Sequence, residues 1–468
     1  MDLIAAIATG AAPTAIGIIR LSGEGCFAAC QRVFRPAGGL PFGEQSPRKM
    51  VLGRVVDEQG RVLDHSMAVR FPAPHSYTGE DSAELHCHGS PVVLREVLSA
   101  LFAAGARQAG PGEFTRRAFL NGRMDLTQAE AVVDLIDAET AAAARNAAAQ
   151  LDGGLRRVLE PIQNTLLDVA SRFYAVVDYP DEDIEDVGQA DILRALTDAQ
   201  GALTRLLADC RRGRVLKSGV RTAIVGLPNA GKSSLLNALA GYDRAIVTDV
   251  PGTTRDTVEE SVLCGDVLLR LIDTAGLRET EDPVEKLGVE RSRRAMEEAE
   301  LILLVRDGAV EVRPENRARF ESEARLLNDV AHTGKPWLCI ESKCDLTGPR
   351  AFSLGLVENG ANNPAACLCV SSVTGEGLDK LENAVAALFP AGDPGEAGSL
   401  LTDRRQEDAA RRALAALSRG REALESGLTP DAVLTDVEEA LDAIGELTGR
   451  AAKEEIVSAI FSRFCVGK

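Results

Sequence analysis

The sequence predicts a multidomain α/β protein, and three observations lead to this prediction. The chain has 468 residues, which is enough for two or three domains. Residues 1–118 alternate short apolar runs with glycine and proline turns, as α+β domains do. Residues 217–389 alternate apolar strand candidates with helix-like segments, which is typical of a mostly parallel sheet with helices on both faces. The remaining sequence has a helical pattern.

The predicted N-terminal α+β domain, residues 1–118, carries strand candidates at Lys49–Leu52 and Ala68–Phe71. A further strand-like segment contains His86, Cys87 and His88, which are residue types that bind metals. Alternate residues of a strand point to opposite faces, so the two histidines would share a side and Cys87 would face away. No second pair of ligands is evident in the sequence. We therefore favour a structural or pocket role over a metal site.

Helical sequence is predicted for residues 119–216 and again for residues 390–468. Alanine-rich helical sequence covers Leu126–Gln150, and a second amphipathic helix is predicted over Leu155–Val177. Thr429 and Pro430 are typical of a helix start. They precede an apolar stripe that consists of Val433, Val437, Ala440, Leu441 and Ile444. Because both helical parts are amphipathic, we expect them to pack as one bundle, with residues 217–389 inserted between them.

Residues 226–233 match the phosphate-binding pattern G-x-x-x-x-G-K-[ST]. They follow a strand candidate, Thr222–Val225, and precede a helix-like apolar pattern, Leu235–Leu239. In this context backbone N–H groups and the helix N-terminus surround a β-phosphate. Lys232 is expected to reach the β- and γ-phosphates, and the Ser233 hydroxyl to bind Mg²⁺. The other predicted nucleotide-binding residues of this loop are Asn229, Ala230, Gly231 and Ser234.

The next parallel strand candidate, Val267–Ile272, leads into the motif Asp273, Thr274, Ala275 and Gly276. An aspartate at this strand end can hold Mg²⁺ through water, and the glycine can offer its N–H to the γ-phosphate. The residue that follows is Leu277, whereas many GTPases place a water-orienting glutamine there. A leucine cannot polarise water. Hydrolysis must therefore recruit another group.

Two later strand ends carry residues suited to guanine. Asp345 can accept hydrogen bonds from N1–H and the 2-amino group, which adenine lacks, and Lys343 would lie along the base plane. Ser371 and Ser372 follow the next strand and are suited to the base edge. The order of these motifs resembles translation-factor-like GTPases, which usually carry asparagine where this chain has Ser342. We expect serine at this position to affect the affinity for the nucleotide more than the preference for guanine.

The first-switch candidate, Ala245–Asp256, extends this resemblance to a specific family. Together with Pro228–Ala230 and Asp273–Arg278, it resembles the MnmE (TrmE) family of tRNA wobble-uridine modification GTPases. Matching segments elsewhere are Ile16–Gly23, Tyr77–Gly89, Pro111–Asn121, Asp125–Glu130 and Ile460–Lys468. The resemblance therefore covers essentially the whole chain.

The resemblance implies a GTPase that K⁺ activates when the nucleotide domains dimerise. A fixed cation at the β/γ bridge neutralises developing charge, as an arginine finger does elsewhere. Glu285 matches the water-orienting glutamate of the family. The implied K⁺ ligands are Asn229, Thr248, Val250 and Thr253, and the implied Mg²⁺ ligands are Ser233 and Thr254. The implied GTP contacts of the first-switch loop are Thr248, Asp249, Val250, Pro251, Gly252, Thr253 and Thr254.

The resemblance also implies a reduced folate, 5,10-methylene-tetrahydrofolate or its 5-formyl analogue. The matching positions are Arg20, Glu84, Arg123 and Lys468. A carboxylate such as that of Glu84 can accept two hydrogen bonds from the pterin edge, and basic groups suit the acidic tail. A direct chemical role for Cys465 is a hypothesis. The family is a homodimer that works with an FAD-containing subunit in a heterotetramer-type complex, and adds a carboxymethylaminomethyl group to C5 of the wobble uridine.

The amino-acid composition indicates how the protein would bind tRNA and in which cellular compartment it is expected. Lys and Arg number 52 against 70 Asp and Glu, a formal charge of -18, so we expect a partner to supply much of the tRNA affinity. Two local basic clusters are interpreted as solvated helix faces or linkers. They consist of Arg211, Arg212, Arg214 and Lys217, and of Arg404, Arg405, Arg411 and Arg412. Ten cysteines without paired metal spacing, and no signal peptide or membrane span, indicate a cytoplasmic protein with reduced thiols.

Two other functions stay open at this point. The nucleotide motifs alone also fit a ribosome-assembly or signalling GTPase without modification chemistry. A passive scaffold would result if Ser342 had abolished nucleotide binding.

Overall fold

The computed structural model describes residues 1–178, 188–242, 260–272, 285–310, 314–347, 362–390, 398–452, 454–462 and 464–467. The chain forms two compact units. The first unit contains Met1–Val133, Gln150–Leu203 and Ala409–Lys468, and the second contains Asp134–Ala149 and Thr204–Asp408. Among the described residues, every helix is too short or too polar to span a membrane.

The N-terminal part of the first unit is a seven-stranded sheet with three helices. Its strands are β1 (Ile4–Ile7), β2 (Ile16–Ser22), β3 (Phe34–Pro36), β4 (Val51–Val56), β5 (Val62–Phe71), β6 (Ser82–His88) and β7 (Arg107–Gln108). Its helices are α1 (Cys26–Val33), α2 (Pro91–Ala103) and α3 (Glu113–Leu120). The strand order is β3-β4-β5-β6-β2-β1-β7, and only β1 and β7 pair in parallel.

One face of this sheet forms the core, because alternate strand residues are apolar. Ile19, Leu85 and Cys87 are buried there with Val97 and Leu101 of α2. On β6, His86 is half-buried and His88 is exposed, so the predicted alternation across residues 86–88 is present. The ring of His88 lies 2.7 Å from a carboxylate oxygen of Asp64. The opposite face carries the exposed side chains of Leu52 and Met67.

In the described parts of residues 126–218, five helices follow: α4 (Leu126–Ile136), α5 (Ala141–Leu151), α6 (Gly154–Asp178), α7 (Gln189–Ala208) and α8 (Cys210–Ser218). The predicted helical stretch Leu126–Gln150 therefore forms as two helices. The break has a local cause, because Thr140 Oγ1 accepts a hydrogen bond from the backbone N–H of Ala143 at 3.0 Å and so caps the start of α5.

Within the described residues, the sheet of the second unit has six strands: β8 (Val220–Val225), β9 (Glu260–Cys264), β10 (Val267–Leu271), β11 (Leu301–Asp307), β12 (Trp337–Ser342) and β13 (Ala366–Val370). Its helices are α9 (Lys232–Tyr242), α10 (Glu285–Glu298), α11 (Arg317–His332), α12 (Cys344–Thr347) and α13 (Leu378–Leu388). The order is β13-β12-β11-β8-β10-β9, and every pair is parallel except β9 with β10.

Helices cover both faces of this second sheet. Leu235 of α9 and Leu381 of α13 pack on one face, in a core cluster with Leu303. Met296 of α10 and Val330 of α11 belong to a different cluster, which lies against alternate residues of the same strands. The predicted α/β class is confirmed. The sequence reading did not include the antiparallel strand β9.

The C-terminal helices are α14 (Arg404–Glu425), α15 (Pro430–Thr448) and α16 (Glu454–Phe461). In the first unit, α15 packs against α6, so the predicted helical bundle is confirmed. Most of the predicted apolar stripe of α15 is buried, and Leu441 is half-buried. Between the bundle segments that end at Leu203 and begin at Ala409, the sequence contains most of the second unit. The domain boundaries predicted at residues 118, 216 and 389 stay predictions.

Candidate functional sites

The predicted phosphate-binding loop lies between β8 and α9. Asn229 and Gly231 adopt the left-handed backbone region, at φ 59° and 95°. The loop also passes close to β11, since a Cβ on Gly226 would lie 2.3 Å from the carbonyl oxygen of Val305. Glycine is therefore required at position 226 for steric reasons. Helix α9 begins at Lys232, so its N-terminal N–H groups face the loop.

The Lys232 ammonium lies over this loop. Its Nζ donates to the carbonyl oxygens of Gly226 at 2.9 Å and Leu227 at 3.0 Å. Ser233 is the second residue of α9, and Ser234 the third. An ammonium, a hydroxyl and a helix N-terminus thus converge where a phosphate chain would bind.

Ser342 joins the loop after β12 to the phosphate-binding loop. Its Oγ lies 2.6 Å from the carbonyl oxygen of Ala230 and 3.0 Å from that of Arg306. A serine hydroxyl has a single hydrogen, so it can donate fully to only one of these acceptors at a time. The serine can therefore donate to only one of these two carbonyl oxygens at a time. An asparagine amide, which has two N–H donors, could donate to both.

Lys343 makes a second connection between the same loops. Its Nζ lies 2.9 Å from the carbonyl oxygen of Asn229 and 2.8 Å from Asp307 Oδ2. The Asp307 side chain is only 7% exposed, and its Oδ1 accepts a hydrogen bond from the backbone N–H of Ala309 at 3.0 Å. Asp307 was missed in the sequence reading. The available signal was its position at the carboxyl end of the apolar strand β11.

Asp345 and Ser371 meet at the same edge of the sheet. Ser371 Oγ lies 2.7 Å from Asp345 Oδ1, to which it donates. The backbone N–H groups of Val373 and Thr374 donate to Ser371 Oγ at 3.3 and 3.2 Å. Ser372 follows and is half-buried. The phosphate-binding loop and both guanine motifs are thus at the carboxyl ends of parallel strands, the usual place for a ligand in such sheets.

Some predicted residues lie outside the described part of the chain. These are Thr248, Asp249, Val250, Pro251, Gly252, Thr253, Thr254, Asp273, Thr274, Ala275, Gly276 and Lys468. Glu285 is the first residue of α10, and its side chain is also outside the described part.

In the first unit, the predicted folate residues Arg20 and Glu84 face each other across β2 and β6. Arg20 Nε lies 3.0 Å from Glu84 Oε1, and His86 Nε2 lies 3.3 Å from Glu84 Oε2. The Arg20 guanidinium stacks over the ring of Tyr77, 5.4 Å from its centre. Burial raises the pKa of Tyr77, while a hydrogen bond with Thr115 and the charge of Arg20 act in the opposite direction. Charged and aromatic groups of this kind suit a planar, polar ligand.

Arg123 lies beside the loop that carries Tyr77. A Cβ on Gly79 would meet Arg123 Cγ at 3.3 Å, so the arginine stem passes close to the Gly79 backbone. Gly79 has φ 79°, which also favours glycine. Three of the predicted folate residues therefore lie on or next to the segments around β2, β6 and Tyr77.

The segment that contains Cys465 also lies on this N-terminal part. Val466 pairs with Pro111 in an antiparallel bridge, and the N–H of Gly112 donates to Cys465 O at 3.3 Å. Gly467 has φ 101°, and a Cβ there would lie 2.2 Å from the carbonyl oxygen of Ile7. The Cys465 side chain is exposed. We call residues 464–467 the C-terminal segment.

A buried ionic network supports this region and was not predicted from the sequence. Arg117 is 3% exposed, and its guanidinium donates to Asp2 at 2.8 Å, Glu80 at 3.1 Å and Glu113 at 2.9 Å. Burial acts to raise the pKa of Glu113, but hydrogen bonds from Arg107, the Gly110 N–H and Arg117 outweigh it and lower the pKa to about 2. The network joins α3 to the loop before β6.

Comparison with known proteins decides the family. Residues 3–123 match the family model described as the GTP-binding protein TrmE N-terminus, and residues 126–465 match that of the MnmE helical domain. The second match covers more than half of the chain. The chain belongs to the MnmE family. The resemblance predicted from its motifs is therefore confirmed.

Curated relatives extend the match to the full length. The protein named tRNA modification GTPase MnmE of Symbiobacterium thermophilum is 44% identical over 467 residues, which is 100% of this chain and 99% of that protein. The protein of the same name from Roseiflexus sp. strain RS-1 is 43% identical over 472 residues, again 100% and 99%. A GTP-binding protein from Sulfolobus solfataricus, solved with GDP, is 18% identical, with a TM-score of 0.27 over 49% of this chain and 66% of its own.

The residues of this MnmE-family chain fit the implied nucleotide and folate. The converging groups of Lys232 and α9 are complementary to phosphate, and the Ser233 hydroxyl is a hard oxygen donor that suits Mg²⁺. At the folate residues, each oxygen of Glu84 has one partner within hydrogen-bonding distance, and a carboxylate oxygen can accept a second.

The two basic clusters of this MnmE-family chain are engaged with carboxylates. In the second unit, Arg214 lies 2.5 Å from Glu407, and Lys217 lies 2.8 Å from Asp134. In the first unit, Arg412 lies 2.5 Å from Glu446. These pairs neutralise charge that RNA would otherwise attract, and they favour the interpretation of the clusters as helix faces.

Proposed function

We propose that this protein is a tRNA modification GTPase that, with an FAD-containing partner, adds a carboxymethylaminomethyl group to C5 of the wobble uridine. Its curated relatives carry the name tRNA modification GTPase MnmE and align over the full chain. The carbon would come from methylene-tetrahydrofolate, and GTP hydrolysis would drive or gate the cycle. Membership of the MnmE family supports the general function, a GTPase of tRNA modification. The flavin partner and the specific chemistry are part of the proposal.

The observation that carries the GTPase assignment is the meeting of three loops at one edge of the second sheet. Lys343 connects the guanine loop to Asn229 of the phosphate-binding loop. Ser371 donates to Asp345, which leaves the second oxygen of that carboxylate to accept from guanine. A base bound by Asp345 and a phosphate bound near Lys232 would thus lie at the same edge of the sheet, where Lys343 connects the two loops.

The proposed hydrolysis relies on charge neutralisation. Mg²⁺ at Ser233 and Thr254, and K⁺ at Asn229, Thr248, Val250 and Thr253, would supply positive charge to the phosphates when bound. Lys232 would contact the β- and γ-phosphates, and Glu285 would orient the attacking water. Because Leu277 follows the Asp-x-x-Gly motif, Glu285 would replace the usual glutamine.

The folate site is proposed at Arg20, Glu84, Arg123 and Lys468. Glu84 would accept from the pterin edge, while the basic groups would bind the acidic tail. Cys465 is exposed in the C-terminal segment, which lies on the same part of the first unit. Its chemical role stays a hypothesis, and a Cys465→Ser variant with normal tRNA modification and normal GTP turnover would refute it.

The proposal includes a cytoplasmic homodimer that reaches tRNA largely through its partner. The formal charge of -18 disfavours strong RNA binding by this chain alone. The exposed face of the N-terminal sheet, with Leu52 and Met67, offers apolar surface for a second copy.

The experiment that tests the GTPase mechanism compares GTP turnover in KCl and in NaCl at equal ionic strength. We expect much faster turnover in KCl for the wild type, and loss of this preference in Asn229→Ala. Equal turnover in both salts would refute the K⁺ mechanism. Binding of 5-formyl-tetrahydrofolate to the full chain, measured by calorimetry, separates the modification enzyme from a GTPase switch without modification chemistry.

A further inference from the structure

The hairpin of β9 and β10 lies in the sequence between the two segments that are proposed to contact the γ-phosphate. Strand β9 begins four residues after Asp256, where the first-switch candidate ends, and β10 ends two residues before Asp273. Among the described residues, β9 is an edge strand, and β10 pairs with β8 only over Leu269–Leu271. The hairpin is therefore attached to the sheet on one side and joined at both ends to nucleotide-binding segments.

Arg270 on β10 connects this hairpin to a turn that lies outside the predicted nucleotide domain. It is directly opposite Ser261 of β9, and its Nη1 donates to Ser261 Oγ at 2.8 Å. Its Nη2 donates to Glu139 Oε1 at 2.6 Å, and its Nε donates to the carbonyl oxygen of Ser218, the last residue of α8, at 3.2 Å. Glu139 belongs to residues 137–140, which we call the α4–α5 turn. One guanidinium thus contacts both strands of the hairpin, α8 and this turn.

The α4–α5 turn is acidic, so its position is sensitive to the neighbouring cations. Just before the turn, Asp134 lies 2.8 Å from Lys217. Burial and the charge of Asp134 raise the pKa of Asp137. The Lys217 ammonium opposes this rise in the pKa, and the charge of Glu139 adds to it. Three neighbouring carboxylates therefore face two cations, and a displacement of Arg270 would leave the repulsion between the carboxylates less compensated.

The two helices beside the turn are held differently. On α5, Asn146 Oδ1 accepts a hydrogen bond from the N–H of Gly398 at 3.0 Å. A Cβ on Gly398 would lie 2.7 Å from the carbonyl carbon of Ala149, so α5 is closely packed there. Helix α4 ends at Ile136, and its residues before Asp134 belong to the first unit. Because packed helices move as rigid bodies, α4 would take up a displacement of the turn.

The exposure of the ion pair favours a role other than stability. The side chains of Arg270 and Glu139 are 30% and 40% exposed, and pairs of this kind contribute little to the free energy of unfolding. A small contribution is nevertheless enough to bias two conformations that are close in free energy, provided that the contact differs between them. The pair is thus better suited to favour one nucleotide state than to hold the fold together.

We propose that Arg270 and Glu139 are positioning residues that couple the nucleotide state to the α4–α5 turn. With GTP bound, the contacts of the γ-phosphate would fix both ends of the hairpin, and with them the guanidinium of Arg270. After hydrolysis these contacts would be lost, the hairpin would shift, and the contact with Glu139 would change. The proposal rests on the proposed function, since that function assigns the γ-phosphate contacts to the segments on either side of the hairpin.

Thermodynamic reciprocity supplies the test. If the ion pair is stronger in one nucleotide state, its removal must change the relative affinity for the two nucleotides by the same factor. Affinities for GDP and for a non-hydrolysable GTP analogue are measured by fluorescence on the full-length protein, with Mg²⁺ and K⁺ present. We expect Glu139→Gln and Arg270→Gln each to shift the ratio of the two affinities about fivefold, the low end of usual couplings. A pair that only supports the structure would leave this ratio unchanged.

A double variant and a matched control sharpen the result. Because the two residues act through one contact, the double variant should shift the ratio no more than either single variant does. The control is Arg221→Gln. Arg221 is the neighbour of Arg270 on β8 and lies 4.0 Å from Glu300, within the predicted nucleotide domain. We expect its ratio to equal that of the wild type. Glu139→Gln changes an exposed side chain without changing its shape, so this variant is expected to fold normally.

Hydrogen–deuterium exchange detects the response of the turn directly. Exchange of the backbone N–H groups of residues 134–151 is compared between the GDP state and the GDP–aluminium fluoride state, both in KCl. For the wild type we expect different exchange in the two states, because local opening depends on the contacts that hold a segment. For Arg270→Gln and Glu139→Gln we expect this difference to disappear, and for Arg221→Gln we expect it to remain.

Four outcomes would overturn the proposal. They are an unchanged affinity ratio in Glu139→Gln and Arg270→Gln, additive effects in the double variant, an equally large shift in Arg221→Gln, and identical exchange of the wild type in both states. GTP turnover in KCl and in NaCl is measured on the same samples. A wild type that prefers K⁺ but shows any of these outcomes would refute the coupling alone. A wild type without this preference would refute the proposed mechanism, while a shifted affinity ratio would still support the coupling.

Discussion

The ammonium of Lys343 lies 2.8 Å from Asp307 Oδ2, so the guanine loop is attached to the end of strand β11. The same nitrogen donates to Asn229 O in the phosphate-binding loop. Asp307 itself is held by the Ala309 N–H, and Arg319 lies 3.4 Å from its Oδ2. Asp307 therefore fixes the ammonium that connects the guanine loop to the phosphate-binding loop.

We therefore expect Asp307→Asn to weaken GDP binding about tenfold, which is about 1.4 kcal/mol. The amide removes the charge that fixes Lys343 while keeping a similar shape. Titration with a fluorescent GDP analogue measures the change, and turnover at saturating GTP is expected to be nearly unaffected. Asp329→Asn, an exposed acid on α11, is the control. An unchanged affinity in Asp307→Asn would contradict a positioning role for Asp307.

Replacement of Arg117 by methionine is expected to destabilise the first unit by about 3 kcal/mol or more. The change leaves three carboxylates, those of Asp2, Glu80 and Glu113, without their buried partner. Chemical denaturation monitored by circular dichroism measures the loss. Arg116→Met removes an exposed pair with Glu454 and is expected to cost far less. Equal stability of the two variants would show that the ionic network of Arg117 does not stabilise the first unit.

The lowered pKa of Glu113 predicts an acid-sensitive contribution to stability. The folded-state pKa is about 2 and the ordinary value is 4.5, so the contribution is fully present above pH 4.5 and is lost as the pH falls towards about 2. The wild type should therefore exceed Glu113→Gln in stability above pH 4.5, and the difference should shrink at lower pH. Thermal unfolding across this range measures it, with Glu454→Gln as an exposed control. A stability difference between the wild type and Glu113→Gln that does not change with pH would refute the lowered pKa of Glu113.

Gly467→Ala is expected to displace the C-terminal segment. A Cβ at this position would lie 2.2 Å from Ile7 O, and φ 101° is itself strained for alanine. We expect weaker binding of 5-formyl-tetrahydrofolate and reduced tRNA modification, with GTP turnover unchanged.

The control for this variant is Gly427→Ala. Gly427 has φ 83°, but a Cβ there would have no neighbour within 4 Å. It therefore shares the backbone strain without the clash. If both variants bind folate as the wild type does, the position of the C-terminal segment has no part in folate binding.

The sequence predicted what depends on local patterns. The strands before the nucleotide motifs and the helix after the phosphate-binding loop follow from apolar runs next to glycine turns, and each formed within two or three residues of its prediction. Strand β9 was missed, although Gly265 and Asp266 between two apolar runs are a hairpin signal. The helix break at Thr140 was also readable as a cap.

The contacts that were not predictable are ionic and distant in sequence. Arg117 meets Asp2 across more than one hundred residues, and Asp307 meets Lys343 across 36. A charged side chain in a sequence gives no indication of which opposite charge the fold will bring to it.

The packing of α16 on α3 and α4 has a consequence for synthesis on the ribosome. Phe119 and Leu126 are covered by Phe461 and Phe464, which are translated only after the whole of the second unit. Throughout that interval the nascent chain presents an uncovered aromatic and aliphatic surface, of the kind that chaperones bind and that promotes aggregation. The order of translation thus makes this early segment dependent on protection during its production.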